Sequence, residues 1–320
     1  MFNKRTDLAL EAQEMCGTTH AEGVSVDTQK LEELSISRVC ITNKHGENLL
    51  KKPQGTYVTL EIPSAIHKEQ RIYEHTISVL AEELKKIVNL KDTDTVLVVG
   101  LGNWNITADA LGPRVVSALL VTRHMFEMMP EEIEEGIRPV CAISPGVLGI
   151  TGIETGEIVR GIVEKIKPQL VIAIDSLASR KLERISTTIQ ISNTGITPGG
   201  GIGNVRLALN EQTLGVPVIA IGVPTVVDAA TMASDTIDLV LDRLMSEVEE
   251  NCDFYKMLKN VNRDEKYQLI NDALSASSEN LVVTPKEVDE IIEEISELIA
   301  NSINIALHSS LTINDLNKYQ

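Results

Sequence analysis

The sequence predicts an α/β fold, with a mostly parallel central sheet and helices on both faces. Three observations carry this. Residues 95–99, 139–144, 170–175 and 216–222 each hold a continuous apolar core rather than an alternating pattern, as in strands buried on both faces. Segments with apolar residues at helical spacing separate these runs. Polar or glycine-rich loops follow them, at the strand ends where open α/β sheets hold their ligands.

Taken in order, residues 1–35 are polar, with Thr6 or Asp7 as the cap of a short helix carrying Leu8, Leu10 and Met15. Residues 36–42 and 56–62 read as strands joined by a turn-rich connection. Residues 68–88 form an amphipathic helix with Ile72, Val79, Leu80, Leu84 and Ile87 on one face. Residues 94–120 are the stretch around which the chain is organised. There the strand at 95–99 ends at Gly100, the loop GLGNWNITADALGP follows, and a helix is expected over 111–128. After the strand at 139–144 comes the loop PGVLGITGIETG, then a helix over 157–167 that Pro168 stops. The run 170–175 ends in Asp175. A short alternating strand is expected at 187–192, and a glycine-rich loop at 194–204. A helix over 226–249 follows the strand at 216–222. The rest reads as helical, most clearly at 285–307, with Pro285 in the first turn and Thr284 as its cap. No repeat or linker divides the chain. One elaborated domain is expected, with a core at about 95–250 and a helical part at about 251–320.

Composition narrows the function. With 320 residues, 43% of them hydrophobic, the chain can bury a sizeable core. A net charge of −17 argues against a nucleic-acid footprint, which needs clustered Lys and Arg. Cys16, Cys40, Cys141 and Cys252 form no CxxC pair, so neither a zinc site nor a disulfide framework is expected, and a reducing cytoplasm fits. The N-terminus lacks the apolar core of a signal peptide. No run approaches the roughly 18 apolar residues that span a membrane.

Two carboxylates stand out. Asp109 lies in the loop after one buried strand, and Asp175 follows another. Parallel strands present these ends on one edge, so both can face one crevice. Two close carboxylates share a proton, and such a pair can activate water and protonate a leaving amine. The residues alone leave other roles open: a turn or cap for Asp175, and a helix-dipole partner for Asp109. TPGGGIGN lacks the GK(S/T) of a phosphate loop, and GLGNWN lacks the third glycine of a dinucleotide fingerprint. Both read as tight turns, though Gly199, Gly200 and Gly201 would let backbone approach a substrate. The histidines are His20, His45, His67, His75, His124 and His308, so the crevice strands between Val140 and Gly222 carry none. A histidine-rich metal centre is not expected. Ser176 and Lys181 lie near each other, but not in a nucleophile elbow.

The motifs VVGLGNWNITADALGPRVV, VCAISPGVLGITGIETGEIV, VIAIDSLASRKLERISTTIQISNTGITPGGGIGN and GVPVIAIGVPTVVDAAT, together with the N-terminal RTDLALEA, resemble the germination protease (spore protease) family of endospore-forming bacteria. The resemblance maps the family's two essential aspartates onto Asp109 and Asp175. It implies a fold related to hydrogenase-maturation peptidases, which bind a metal through carboxylate and histidine. The missing histidine favours an aspartic-type mechanism with no metal or other cofactor. A metal-dependent peptidase on the same fold and a non-catalytic binding module are the alternatives. The implied substrates are small acid-soluble spore proteins, cut during germination in the cytoplasm of the spore core, with no direct nucleic-acid or membrane contact. Members are zymogens and homotetramers that remove a short N-terminal segment. Here TDLALEA implies a cut between Asp7 and Leu8, making residues 1–7 a propeptide and 8–320 the peptidase domain. Asn103, Trp104, Asn105 and Gly200 are candidates for positioning substrate. Arg114, Arg180, Lys181 and Arg184 are candidates for the cationic pocket that an acidic residue before the cut requires.

Overall fold

The computed structural model describes residues 6–17, 20–63, 69–88, 90–198, 207–248, 252, 255, 257, 263–275 and 281–316. One sheet runs through them in the order β1 (His20–Ala21), β2 (Val24–Lys30), β3 (Ser35–Ile41), β4 (Gly55–Glu61), β8 (Thr188–Ser192), β9 (Val218–Asp228), β7 (Leu170–Ser179), β5 (Val96–Gly100), β6 (Val140–Ile143). A short β10 (Val282–Val283) adds to β9.

The sheet is mixed, which corrects the expectation of a mostly parallel one. β6, β5, β7 and β9 are parallel, whereas β9–β8–β4–β3–β2–β1 are joined antiparallel. Links explain the split. β5, β6 and β7 are separated by helical crossovers, but residues 180–187 are too short a link to return the chain for a parallel strand. β2 gave no apolar signal because most of its residues are exposed; a continuous ladder to β3 holds it instead.

Side chains on β5 and β7 alternate between two cores, as the period of two requires. Val96, Val98, Ile172 and Ile174 meet α3 (Gln70–Ile87), α4 (Leu111–Ser117) and the C-terminal helix Val288–Leu307 on one face. Leu97, Val99, Val171 and Ala173 meet Val159 and Val163 of helix Thr155–Ile166 on the other. A third cluster packs α1 (Ala9–Cys16) against Val39, Tyr57 and Leu50 in the antiparallel half. Among the described residues, no helix is long and apolar enough to cross a membrane.

Several elements differ from expectation for local reasons. The helix expected at 111–128 is two, Leu111–Ser117 and Arg123–Met128. Between them Leu120 N–H donates to Asn304 Oδ1, and Thr122 Oγ1 bonds Arg138 O and Val140 N–H. The connection before β4 contains α2 (Lys44–Leu50), capped by Asn43 through Gly46 N–H at 3.0 Å. Thr284 caps nothing; its hydroxyl donates to Thr225 O. The N-cap position of α1 is Leu8, with no side-chain cap, because Thr6 and Asp7 are engaged elsewhere. β7 continues through Ser179, so Asp175 lies inside a strand rather than ending one.

The end of the C-terminal helix carries a pH-dependent element. His308 is 1% exposed, and its Nδ1 accepts the Arg138 N–H at 3.1 Å. Burial, helped by the Arg138 charge and opposed by a backbone bond to Leu120, pushes its pKa down to about 4. The folded state therefore favours neutral imidazole, whereas the unfolded chain takes up a proton near 6.5. This group's contribution to stability is full above about pH 6.5 and lost as the pH falls toward 4. Urea unfolding at pH 7 and pH 4.5 should differ by on the order of 2 kcal/mol more in the unmutated chain than in His308→Gln, which does not titrate.

Candidate active site

A cavity of about 770 Å³ opens where the loop after β5 meets the second halves of β7 and β9. Asp109 and Asp175 both line it, so the fold brings the two carboxylates to one crevice. So does Asp7, from the N-terminal segment.

Asp109 is positioned by its loop. Gly102 adopts φ +117°, and a Cβ there would lie 2.0 Å from Asp109 O. That close approach lets Asn103 N–H donate to both Asp109 O (3.0 Å) and Oδ2 (2.9 Å). Asn103 Oδ1 in turn accepts Asn105 N–H, and Thr225 Oγ1 of β9 donates to Ala108 O at 2.6 Å. Asp175 is 7% exposed, pairs with Gly222 of β9, and accepts its neighbour's N–H, from Ser176, at 2.9 Å.

The N-terminal segment reaches this crevice at Asp7. Asp7 N–H donates to Ala178 O at 2.9 Å, and Ala178 N–H donates to Asp7 Oδ2 at 2.8 Å, tying the segment to β7. Asp7 O accepts from Lys52 Nζ (3.0 Å) and Gln190 Nε2 (3.3 Å). Leu8 is wholly buried, and Ala9 N–H donates to Gln190 Oε1 at 2.7 Å. Glu11, 1% exposed, accepts the N–H groups of Arg180 (2.7 Å) and Lys181 (3.0 Å). Arg184, also buried, joins Glu11 at 3.5 Å, Glu14 at 2.6 Å and Glu61 at 3.2 Å. Burial works against the Arg184 charge, but the bond to Glu14 and the charges of Glu14, Glu61 and Glu11 outweigh it and raise its pKa.

The cations expected around the acidic residue before the cut are engaged elsewhere. Asp7 Oδ2 meets the Ala178 amide, with Lys52 as the nearby cation. Arg180 holds Glu11 through its backbone, while its guanidinium pairs with Asp235 at 2.9 Å; Arg114 pairs with Glu293. Asn103 and Asn105 brace the loop that carries Asp109, and Trp104 is 57% exposed at its tip; none of the three lines the cavity. Gly200 lies outside the described residues, although Thr194 to Thr197 just before it line the cavity. Sequence reasoning missed Lys52 and Gln190. The available signal for Gln190 was an amide in the middle of a strand, β8, that is buried throughout. Among the described residues, no three His, Cys, Asp or Glu side chains cluster as metal ligands.

A family model described as Germination protease, peptidase A25, matches residues 4–260 and 245–320. A germination protease of Clostridium acetobutylicum is 54% identical, covering 100% of this chain and 99% of its own. One from Clostridium perfringens is 51% identical with coverage of 100% and 99%, and one from Bacillus pumilus 43% with 99% and 97%. Among solved structures, a NiFe hydrogenase maturation protease from Thermococcus kodakarensis gives a TM-score of 0.32 at 17% identity, over 69% of this chain and 98% of that one.

Proposed function

The chain belongs to the germination protease family, and from that premise we propose that this peptidase is a self-processing zymogen using Asp109 and Asp175 as an aspartic pair. One carboxylate takes a proton from water as its oxygen attacks the Asp7 carbonyl carbon; the other gives a proton to the Leu8 nitrogen as the C–N bond breaks. The observation that carries this reading is the docking of Asp7 in the cavity that Asp109 and Asp175 line, with Leu8 buried beside it.

The cut changes the charge of the segment. It leaves a new amine on Leu8, a residue with no exposed surface, and an amine of that kind is protonated below about pH 8. An unpaired buried charge is strongly unfavourable, so the Leu8 end of the segment is expected to shift as residues 1–7 depart and Asp7 vacates the crevice. The substrates that then enter are small acid-soluble spore proteins carrying the same pattern as Asp7-Leu8-Ala9-Leu10-Glu11. The acidic positions of that pattern are read largely by backbone amides, at Ala178, Arg180 and Lys181. Residues 1–7 are the propeptide of a single peptidase domain, which works as a homotetramer in the spore core.

Purified spore protein incubated with the enzyme, with its cuts mapped by mass, is expected to be cleaved after an acidic residue and before an apolar one. Cuts without that preference, or none, would contradict the reading. In cis, Asp7→Lys loses the Ala178 bond and sets a second ammonium beside Lys52. Self-cleavage should slow by about 100-fold, the equivalent of about 3 kcal/mol.

A further inference from the structure

The Asp7 carbonyl is gripped by two side chains that belong neither to the loop bearing Asp109 nor to the strand bearing Asp175. Lys52 reaches it from the turn after α2, and Gln190 from β8. Lys52 Nζ is 3.0 Å from Asp7 O and also bonds Thr6 O at 3.2 Å. Gln190 spans the Leu8 residue, donating to Asp7 O with Nε2 and accepting Ala9 N–H with Oε1. Both donors therefore meet the oxygen on which negative charge would develop if the Asp7–Leu8 bond were attacked.

Resting on Asp7–Leu8 as the bond cut in cis, we infer that Lys52 and Gln190 form the oxyanion hole of this peptidase. As the water oxygen bonds to the Asp7 carbonyl carbon, the carbonyl π pair moves onto oxygen, where the Lys52 ammonium and the Gln190 amide receive it. When the pair returns, the C–N bond breaks; its electrons stay on the Leu8 nitrogen, which takes the proton held by the aspartates. The products are an Asp7 carboxyl group and a Leu8 amine. Water is the only co-reactant. Both donors remain after residues 1–7 depart, so the same hole serves the carbonyl of a spore-protein substrate.

Two features fit this role. Burial depresses the Lys52 pKa even though the Asp7 and Glu11 charges oppose the shift. Such a shielded cation acts on developing charge more strongly than one in water. Gln190, 8% exposed on a wholly buried strand, is an inward polar group whose two ends are both spent on the scissile region.

The test uses the full chain. Intact mass gives the rate of cleavage after Asp7, and amide exchange at Leu8 and Ala9 reports whether the segment is docked. Lys52→Met removes the cation. Gln190→Glu removes the donor but keeps an acceptor for Ala9 N–H. Each is expected to slow cleavage by about 10²–10³-fold with both amides still protected. Lys52→Cys alkylated to aminoethylcysteine, which restores an ammonium at similar reach, should recover most of the rate, with the unmutated chain treated alongside as control. Variants that cut as fast as the unmutated chain would overturn the hole and leave the self-cleavage reading standing. Slow variants whose amides are unprotected would reduce both residues to holding the segment, and also overturn it. An unmutated chain that makes no cut after Asp7 would remove the reading of the bond, and the hole with it.

Discussion

Asp109→Asn and Asp175→Asn are each expected to slow hydrolysis of the Asp7–Leu8 bond by a factor on the order of 10³ or more. The fold should survive both changes. Asp109 accepts the Asn103 N–H through Oδ2, and Asp175 accepts the Ser176 N–H through Oδ1; an asparagine oxygen can take either bond. What an amide cannot do is take a proton from water or share one with its partner. A pair that acts as a unit loses its function with either member, so the proposal predicts a double variant little slower than either single one. Rates are read by intact mass over time, and folding by the thermal midpoint. A single variant that cuts at the unmutated rate would exclude the pair.

The second large effect is on the seat of the N-terminal segment. Arg184→Met is expected to destabilise the folded chain by about 1–3 kcal/mol, read as a lower urea midpoint, because it removes the charged bonds that this buried guanidinium makes to Glu14 and Glu61, both partly solvated, while Glu14 keeps Lys181. Glu11 keeps its two backbone bonds, but Glu14 and Glu61 lose their shared cation. The effect carries a pH signature. Burial raises the Glu14 pKa, yet bonds and charges from Arg184 and Lys181 prevail and hold it low. A lowered carboxylate contributes stability that is full above its unfolded value, about 4.3, and lost as the pH falls through the folded one. The gap between the unmutated chain and Arg184→Met should therefore narrow in acid. A gap that stays constant from pH 7 to pH 3, or no gap, would remove the electrostatic account.

How much of this was legible in the sequence depended on which force wrote each part. The parallel half was legible because β5, β7 and the first part of β9 are buried on both faces and so spell continuous apolar runs. The antiparallel half was only partly so. β3 and β4 alternate or bury enough to be seen, whereas β2 is held by backbone bonds to β3 that any polar sequence can make. Asp109 and Asp175 were legible as carboxylates after apolar runs. The continuation of β7 past Asp175 was not, because Ser176 to Ser179 are held by pairing with β9. Lys52 and Gln190 reach the crevice only because β4 and β8 pair far from their neighbours in sequence, and no local pattern encodes that. The Asp7 carboxylate is likewise met by the Ala178 amide, and a backbone donor carries no side-chain signature.

The most direct test of the proposal that Asp109 and Asp175 cut the Asp7–Leu8 bond, whose carbonyl Lys52 and Gln190 hold, is the intact mass of the purified chain after incubation at mildly acidic pH. The prediction is a single new species lacking residues 1–7 and beginning at Leu8, formed by the unmutated chain and by neither Asp109→Asn nor Asp175→Asn. A chain that stays whole, a cut at another bond, or equal processing in either variant would contradict it.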